Sequence, residues 1–424
     1  MKYAAYSEYQ PSGADWLGDV PAHWTVKAIK WESPVLRGAS PRPIDDPVYF
    51  DDDGEYAWVR ISDVTEAGAY LEDTEQKLSD VGSRLSVKLK PGDLFLSIAG
   101  SVGKPCITRI KCCIHDGFVY FPRWKADPKF LYYLFASGEP YKGLGKMGTQ
   151  LNLNTDTVGS IIIGLPDADE QQTIARFLDA KTAQIDALVA QKRQLIAKLK
   201  EKRSALIART VTRGLPPEAA QAAGLEPNPE MKDSGVDWLG KVPKHWETKQ
   251  LKLAVMFQRG HDLPSEQREV GDVPLVSSAG VSATHNVAVA KGPGIVTGRY
   301  GTIGQFHLVR DDYWPLNTTL YSIDLRGNLP EYLCYMLEHL SPLVILHSVK
   351  SAVPGVDRND LHPTMIALPP VSEQKTIAGY LTAELMELTE LATKVEAAIT
   401  RLTEYRQALI TSAVTGKIDV RELA

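Results

Sequence analysis

The sequence predicts a mixed α/β (α+β) protein with two similar modules, each followed by a long helix, the two helices pairing as an antiparallel coiled coil. Three observations predict this fold class. A thirteen-residue segment occurs twice, short β-type runs alternate with turn residues in two stretches, and two further stretches carry a heptad pattern. We therefore expect a pseudo-two-fold internal repeat.

The repeated segment opens each module. Residues 12–24 return as residues 234–246, 222 residues later, with ten of the thirteen positions identical. A second element, Leu-Pro-x-x-x-Glu-Gln-x-x-Ile, occurs at 165–174 and returns 203 residues later at 368–377. Because these two spacings differ by 19 residues, the sequences between the two repeated elements differ in length and have diverged. We call the two repeated elements together the duplicated frame. The two modules should therefore present different surfaces.

The first module is assigned to residues 1–165 and the second to residues 234–368. Gly, Pro and Asp clusters separate the β-type runs of the first module, which are 56–61, 93–98, 113–121 and 160–163. The second module has comparable runs at 294–297, 306–309 and 320–324. One helix is predicted in each module, at 129–136 and at 330–340.

The long helices are assigned to residues 166–211 and, with a C-terminal tail, to residues 369–424; a linker at 212–233 is rich in Pro, Ala and Glu. In each helical stretch a mostly apolar seam recurs at alternating steps of four and three, from Ile174 to Leu206 and from Ile377 to Leu409. A helix of about 40 residues is ~60 Å long, which exceeds the width of a domain of about 140 residues. Each helix is therefore expected to pair with the other rather than to pack only on its own module.

The composition is that of an ordinary globular protein, with 44% hydrophobic and 23% charged residues among 424. No apolar run approaches the ~20 residues that span a membrane, and no signal peptide is evident, so a cytoplasmic protein is expected. Cys106, Cys112, Cys113 and His115 lack the paired spacing of a metal site, which favours free thiols in a strand-rich core. The net charge of −5 does not indicate a nucleic-acid-binding protein, although a basic face can coexist with an acidic remainder.

The duplicated Asp-Trp-Leu-Gly-x-Val-Pro-x-His-Trp opening and the duplicated Leu-Pro-x-x-x-Glu-Gln-x-x-Ile element resemble the DNA-specificity subunit of type I restriction-modification enzymes. The resemblance covers essentially the whole chain. It implies two target-recognition domains, separated by two antiparallel helices, that each read one half of a split sequence in double-stranded DNA. It also implies a subunit without a catalytic centre that recruits methyltransferase subunits, expected to be two, and restriction subunits where they exist. S-adenosylmethionine, and ATP and Mg with a nuclease, would then be bound by those partners and not by this chain.

The residues themselves also argue against an enzyme. The segment 100–104 lacks the glycine spacing of a Walker loop, and no Asn-Pro-Pro-Tyr-type tetrapeptide of the amino-methyltransferases occurs. Glu-x-Lys, half of a nuclease motif, occurs at 75–77 and 373–375, but a helix start explains the second copy and the first has no Pro-Asp partner. Two alternatives remain at this point, a scaffold with two protein-binding heads and a fragment of a self-contained restriction-modification enzyme.

Candidate DNA contacts lie in three pairs of loops rich in Lys, Arg, Ser, Thr and amide side chains, the groups that contact phosphates and base edges. The first pair supplies Lys142, Lys146, Thr149, Gln150, Asn152 and Asn154, with Lys350, Arg358 and Asn359. The second supplies Ser101 and Lys104, with Arg299, Tyr300 and Thr302. The third supplies Arg60 and Ser62, with Ser277 and Ser278. For each loop the alternative is a simple hairpin turn, and for the basic run at 192–213 the alternative to a phosphate contact is a solvated helix face.

Overall fold

The computed structural model describes residues 3–142, 144, 153–348 and 355–422. The chain divides into two compact units, one formed by residues 1–192 with 397–424 and the other by residues 193–396. Each unit contains one module together with parts of both long helices. The predicted architecture, two α/β modules joined by paired helices, is confirmed.

The first module consists of short strands around two small sheets. Its strands β1–β13 are Tyr9–Pro11, Asp19–Pro21, Thr25–Ala28, Leu36–Arg37, Tyr56–Val59, Tyr70–Leu71, Gln76–Leu78, Val87–Leu89, Leu94–Ser97, Pro105–Thr108, Cys112–Ile114, Phe118–Tyr120 and Ile162–Leu165. Its helices α1–α5 are Ile29–Glu32, Ile61–Glu66, Asp80–Arg84, Pro128–Ala136 and Thr155–Gly159. One sheet has the order β4-β12-β9-β10-β6 and the other β7-β5-β11-β8, while β3 pairs with β13 and β1 with β2.

The single strand predicted at 113–121 is wrong, because this run forms β11 and β12, which belong to different sheets. A tight turn separates them: Phe118 N–H donates to the His115 carbonyl at 3.1 Å, and Gly117 N–H donates to His115 Nδ1 at 2.8 Å. Cys106, Cys112 and Cys113 are buried free thiols in this strand-rich core. In the described ranges no group of three His, Cys, Asp or Glu residues converges to hold a metal ion.

The second module repeats this plan with fewer strands. Its strands β14–β24 are Met231–Asp233, Lys241–Pro243, Glu247–Gln250, Met256–Arg259, Val273–Ser277, Gly280–His285, Gly294–Gly298, Phe306–Val309, Trp314–Pro315, Thr319–Asp324 and Met365–Leu368. Its sheets have the orders β17-β23-β20-β21 and β19-β18-β22, with the pairs β16-β24 and β14-β15. The remaining helices α6–α10 are Ala168–Arg213, Pro217–Ala222, Pro330–Ser348, Arg358–Leu361 and Val371–Val414. Helix α8 continues past the predicted end at Leu340 and through Pro342, because Val344 is buried in the same core.

The long helices α6 and α10 contribute opposite ends to each unit, as antiparallel pairing requires. In the first unit, the start of α6 at Ile174 and Leu178 shares a core with Leu409 and Ile410 near the end of α10. In the second unit the end of α6 shares a core with the start of α10. The predicted seam holds only in part, since Leu188 and Leu195 are each 40% exposed. A strict heptad drifts around a straight helix of 3.6 residues per turn, so the buried stripe moves off the predicted positions. Within the described part of the chain, no helix combines the length and apolar character needed to cross a bilayer.

The duplicated frame elements meet each other in the first unit. Buried Glu170, from the start of α6, accepts hydrogen bonds from the Trp24 indole at 3.2 Å and the Tyr6 hydroxyl at 2.7 Å, and pairs with His23 at 2.8 Å. Gly416, just beyond α10, has φ +69° and packs against Pro21 and Trp24. Trp24 is 2% exposed, so this contact closes the core where the module joins both helices.

The second unit repeats the same closure with the helices exchanged. Glu373, from the start of α10, accepts from the Trp246 indole at 3.1 Å and pairs with His245 at 2.8 Å. Gly214, just beyond α6, has φ +82° and lies near both Trp246 and Glu373. The repeated spacing within the frame therefore encodes one structural joint that is built twice, and the histidines take part in it as packing and hydrogen-bond partners.

The glutamine of each Glu-Gln pair positions the helix inside its module. The side chain of Gln171 accepts from Asp127 N–H at 3.0 Å and donates to the Pro166 carbonyl at 2.8 Å. Gln374 accepts from Leu329 N–H at 2.9 Å and donates to the Pro369 carbonyl at 2.9 Å. Helices α4 and α8 begin directly after Asp127 and Leu329, the residues whose backbone N–H groups donate to the glutamines. Each module is therefore attached to its own long helix by hydrogen bonds of the glutamine side chain.

Candidate nucleic-acid interface

An Arg-Gly dipeptide at the end of a strand occupies equivalent places in the two modules. Gly38 N–H donates to the Phe118 carbonyl at 2.9 Å, and Gly260 N–H donates to the Thr319 carbonyl at 3.0 Å. A Cβ on Gly38 would lie 2.7 Å from the Ile114 carbonyl oxygen, and a Cβ on Gly260 would lie 2.7 Å from the Pro315 oxygen. Only glycine fits such a close approach of backbone to backbone. This close backbone contact holds the residue before each glycine, Arg37 or Arg259, in an equivalent position. Both arginines are exposed.

A glycine loop lies one strand away from the Arg-Gly dipeptide in each module, across β12 or β23. The predicted Gly-x-x-Gly turns after a strand are confirmed, since Gly100, Gly103, Gly301 and Gly304 all have positive φ, between 62° and 82°. Val102 N–H donates to the Gly100 carbonyl at 2.9 Å, and Ile303 N–H to the Gly301 carbonyl at 3.0 Å. The loops are held from behind by hydroxyls, with Tyr141 donating to the Gly103 carbonyl at 3.0 Å and Ser341 donating to that of Gly304. Because these hydrogen bonds repeat, the two loops can be aligned residue by residue. Arg299 and Thr302 of the second module then correspond to Ile98 and Ser101 of the first.

The third segment begins where a parallel strand ends. Val59 pairs with Ile114 in the first module, and Val276 pairs with Pro315 in the second, so Arg60 and Ser277 are equivalent. The segment contacts the glycine loop in both modules: Ser101 Oγ lies 2.8 Å from Thr65 Oγ1, and Thr302 donates to the Ser278 carbonyl. We name residues 37–42, 60–65 and 98–104 the first polar edge, and residues 258–262, 277–279, 298–304 and 357–359 the second polar edge.

The second polar edge brings most of the predicted residues of its module together. Val356 N–H donates to the Arg299 carbonyl at 2.9 Å, which ties the glycine loop to the start of α9. Arg299 Nη2 lies 3.9 Å from Asp357 Oδ2, and its guanidinium lies over the Tyr300 ring, 5.0 Å from the centroid. Arg299 is mostly buried and its Nε has no partner in the described part of the chain.

A polar recess of about 810 Å³ opens within the second polar edge. Its lining includes Gln258, Arg259, His261, Arg358 and Asn359, with the carboxylates of Asp262 and Asp357. Asp357 caps α9 by accepting from Asn359 N–H at 3.2 Å, and Asp262 accepts from Asn317. The recess therefore carries cationic, amide and imidazole groups, whereas both carboxylates already have partners.

The first polar edge is built from different side chains. Asp116 accepts from Ser40 at 2.9 Å and from Arg42 at 3.1 Å, and its carbonyl accepts from Arg37 Nε at 2.5 Å. Burial would raise the pKa of Asp116, but the Ser40 hydrogen bond and the charges of Arg37 and Arg42 outweigh it and lower the pKa. This edge thus presents two arginines beside an ionised aspartate.

Two of the predicted cations of the first module are engaged within the chain. Lys104 Nζ donates to the Thr65 carbonyl at 2.6 Å, and burial lowers its pKa. Arg60 donates to Gln76, and its Nη1 lies 3.9 Å from Glu75. The neighbouring recess is lined by Asp63, Glu66, Glu72, Asp73 and Glu75, an environment that repels phosphate. Ser62 is exposed at the margin of this recess.

Lys142 and Asn154, two further predicted residues, make local contacts within the first module. Lys142 pairs with Glu139 at 2.7 Å, and Asn154 caps α5 by accepting from Thr157 N–H at 2.9 Å. Lys146, Thr149, Gln150, Asn152 and Lys350 lie outside the described residues. Arg37, Arg42, Gln258, Arg259 and His261 were not predicted from the sequence. The Arg-Gly dipeptide, repeated at the same 222-residue offset as the opening segment, was the signal that could have found the two equivalent arginines.

The sequence is similar to that of known proteins over almost its whole length. The chain matches the family described as Type I restriction modification DNA specificity domain twice, over residues 39–198 and 243–401. It is 22% identical, over 96% of both chains, to a protein described as the MjaX specificity subunit of a type I restriction enzyme of Methanocaldococcus jannaschii. It is 24% identical to the MjaIX specificity subunit of the same organism, over 60% of this chain and 56% of that one.

The fold is also that of a solved structure. A chain solved in a study of complex assembly and conformational transition of the type I R-M system superposes with a TM-score of 0.68, at 18% identity, covering 94% of this chain and 99% of that chain. The two family matches together span most of the sequence, one in each half of the chain. The chain therefore belongs to the type I restriction-modification specificity subunits, with two DNA-recognition domains.

Proposed function

We propose that each module reads one half of a bipartite, asymmetric target in double-stranded DNA, through its polar edge. One observation carries this proposal: the glycine loops and the Arg-Gly dipeptides of the two edges share their backbone hydrogen bonds, whereas most of the side chains around them differ. Ile98 is replaced by Arg299 in the glycine loop, and Leu36 by Gln258 before the Arg-Gly dipeptide, on an equivalent backbone. A duplicated backbone with different side chains suits two readers of different base sequences, because bases are read by side chains in the grooves. Membership of the DNA specificity family disfavours a scaffold that binds only proteins.

We further propose that the chain acts without a catalytic centre of its own and directs methyltransferase subunits, two per chain, to the DNA. The internal repeat supports the number two, because equivalent surfaces on two modules can each accept one copy of the same partner. S-adenosylmethionine would be bound by the partners, as would ATP and Mg where a restriction subunit takes part. Antiparallel α6 and α10 would set the distance between the half-sites.

Exchanging modules between two subunits of this family tests the proposal. Residues 25–164 are replaced by the equivalent stretch of a related subunit, which preserves Trp24 and the Leu-Pro-Glu-Gln element that form the joint. The hybrid and the native chain are each purified with the methyltransferase partner, and the methylated motif is determined by methylome sequencing. We expect one half-site to change and the other to remain. A change in both half-sites, or methylation by the chain without its partner, would contradict the proposal.

A further inference from the structure

The two half-sites of a bipartite target differ in their bases but share the same sugar-phosphate backbone. Phosphate contacts carry no sequence information, whereas base-edge contacts do. A side chain that is identical at equivalent positions of both modules is therefore suited to phosphate, and a side chain that differs is suited to bases. This criterion rests on the proposed function, since it presumes that both polar edges face DNA.

Arg37 and Arg259 meet the criterion for a phosphate contact. They precede Gly38 and Gly260, whose backbone hydrogen bonds and close approach to a carbonyl oxygen are the same in both modules. Both arginines are exposed. Arg37 donates from its Nε to the Asp116 carbonyl, whereas Arg259 makes no side-chain hydrogen bond or ion pair within the part of the chain that the structure describes. A guanidinium is always charged and can bind a phosphate through two parallel hydrogen bonds.

The side chains around these arginines meet the opposite criterion. Gln258 and His261 in the second module correspond to Leu36 and Ala39 in the first, on either side of the same Arg-Gly dipeptide. Arg358 and Asn359, which follow the α9 cap, likewise replace Thr155 and Asp156, which follow the α5 cap. Arginine suits the guanine edge, and asparagine or glutamine suits the adenine edge. All four residues of the second module line the recess beside Arg259.

We propose that Arg37 and Arg259 are a matched pair of backbone-phosphate contacts, one for each half-site, and that the recess beside Arg259 is where the second module reads bases. The pair gives both modules the same register on the duplex, because a glycine fixed by the sheet holds each arginine at the same place. The divergent neighbours then meet the base edges from that common register.

The test measures salt-dependent DNA affinity of the complete complex of chain and methyltransferase partner. The probes are a duplex carrying the motif that the complex methylates and a duplex with that motif scrambled. Arg37→Ala and Arg259→Ala should each weaken binding to both duplexes by the same factor and leave the methylated motif unchanged. Each should reduce the slope of log affinity against log salt by about one, and the double variant by about two. Between 50 and 200 mM salt, each single variant should thus lose about 3.5-fold less affinity than the native complex does.

Conservative and positional controls separate charge from structure. Arg37→Lys and Arg259→Lys keep the positive charge and should retain the native slope. Arg123→Ala and Arg310→Ala remove exposed arginines beyond the opposite ends of β12 and β21, and should leave the slope unchanged. Circular dichroism and recovery of the intact complex verify that each variant folds.

The recess is tested by His261→Ala and Asn359→Ala. Each should relax a single base position in the second half-site, with roughly a 5- to 150-fold loss of discrimination, and leave the first half-site intact. An unchanged salt slope in both arginine-to-alanine variants, or an unchanged motif in both recess variants, would overturn the inference. If the native complex itself showed no sequence-specific binding, the proposed function would fail instead, so the two failures are distinguishable.

Discussion

Replacing three glycines by alanine should change the stability of the chain in three different ways. Gly379 lies on the exposed side of α10, and nothing lies within 4 Å of an added Cβ. Alanine should therefore stabilise the folded state by about 0.5–1 kcal/mol, because glycine costs that much in a helix interior. Gly214 has φ +82°, and its nearest neighbours would be 3.8 Å from a Cβ. Alanine there should destabilise by the cost of left-handed backbone alone, about 1–2 kcal/mol.

Gly416 combines the same backbone cost with a collision. Its φ is +69°, and an added Cβ would lie 2.6 Å from Pro21 Cγ and 3.3 Å from Trp24. The proline ring cannot rotate away, so overpacking adds about 1–3 kcal/mol. The total destabilisation should be roughly 2–5 kcal/mol, which corresponds to a fall in Tm of about 4 °C or more for a unit of this size.

Urea unfolding followed by tryptophan fluorescence, together with calorimetry, measures all three variants against the native chain. Trp24 and Trp246, two of the eight tryptophans, lie beside Gly416 and Gly214, so part of the signal reports on the joints. The reasoning is refuted if Gly416→Ala is no more destabilising than Gly214→Ala, or if Gly379→Ala destabilises the protein.

Three other perturbations have defined outcomes. Burial raises the pKa of Cys106, Cys112 and Cys334 to about 12 and that of Cys113 to about 11. A thiol reagent at pH 8 should therefore label the native chain slowly and the denatured chain fully, because the thiolate is the reactive form. Rapid labelling of the native chain would contradict this prediction. His362 Nε2 accepts from Phe257 N–H at 3.0 Å, and burial lowers its pKa, with Arg358 and Lys252 lowering it further. The His362 imidazole therefore binds a proton more readily in the unfolded chain than in the folded one. Its contribution to the free energy of unfolding is present above about pH 6.5 and is lost as the pH falls below that value. Urea unfolding from pH 7.5 to 5 should show a smaller loss of stability in His362→Gln than in the native chain. Inserting four residues after Leu385 lengthens α10 by ~6 Å and about one helical turn. The gap between the two half-sites of the methylated motif should then lengthen by one or two base pairs of ~3.4 Å. An active variant that methylates the motif with the original gap would show that the helices do not set the distance between the half-sites.

Much of the fold could be predicted because its signals are local or repeated. The duplicated opening and the Glu-Gln element marked both joints, and strands such as Phe306–Val309 matched their apolar runs. The break between β11 and β12 falls at His115-Asp116-Gly117, where Asp-Gly is a turn signal that the prediction passed over, and where the His115 imidazole accepts a hydrogen bond from Gly117 N–H. The drift of the helix seam, by contrast, depends on the packing partner, which periodicity alone does not give.

The candidate site was predictable only where glycine spacing marks a turn. Both glycine loops were found in this way, and Arg299 and Thr302 with them. Arg37 and Arg259 were missed although their Arg-Gly dipeptide recurs at the offset of the opening segment; so short a repeat gains significance only from hydrogen bonds to distant strands, such as that of Gly260 N–H to the Thr319 carbonyl. The hydrogen bond of Arg60 to Gln76 and its ion pair with Glu75 are equally non-local, since both depend on the pairing of β5 with β7.

The sharing of α10 between the two units has a consequence for synthesis. Every residue of the second unit lies between 193 and 396, whereas the first unit needs residues 397–424 as well as 1–192. Leu409, Ile410 and Val420 belong to the same core as Tyr6 and Trp24, and Asp419 N–H donates to the Ala4 carbonyl at 2.8 Å. During translation, the module that is made first must wait with an open core until these residues leave the ribosome, by which time the module made second is already complete. The order of synthesis and the order of completion are therefore opposite in this protein.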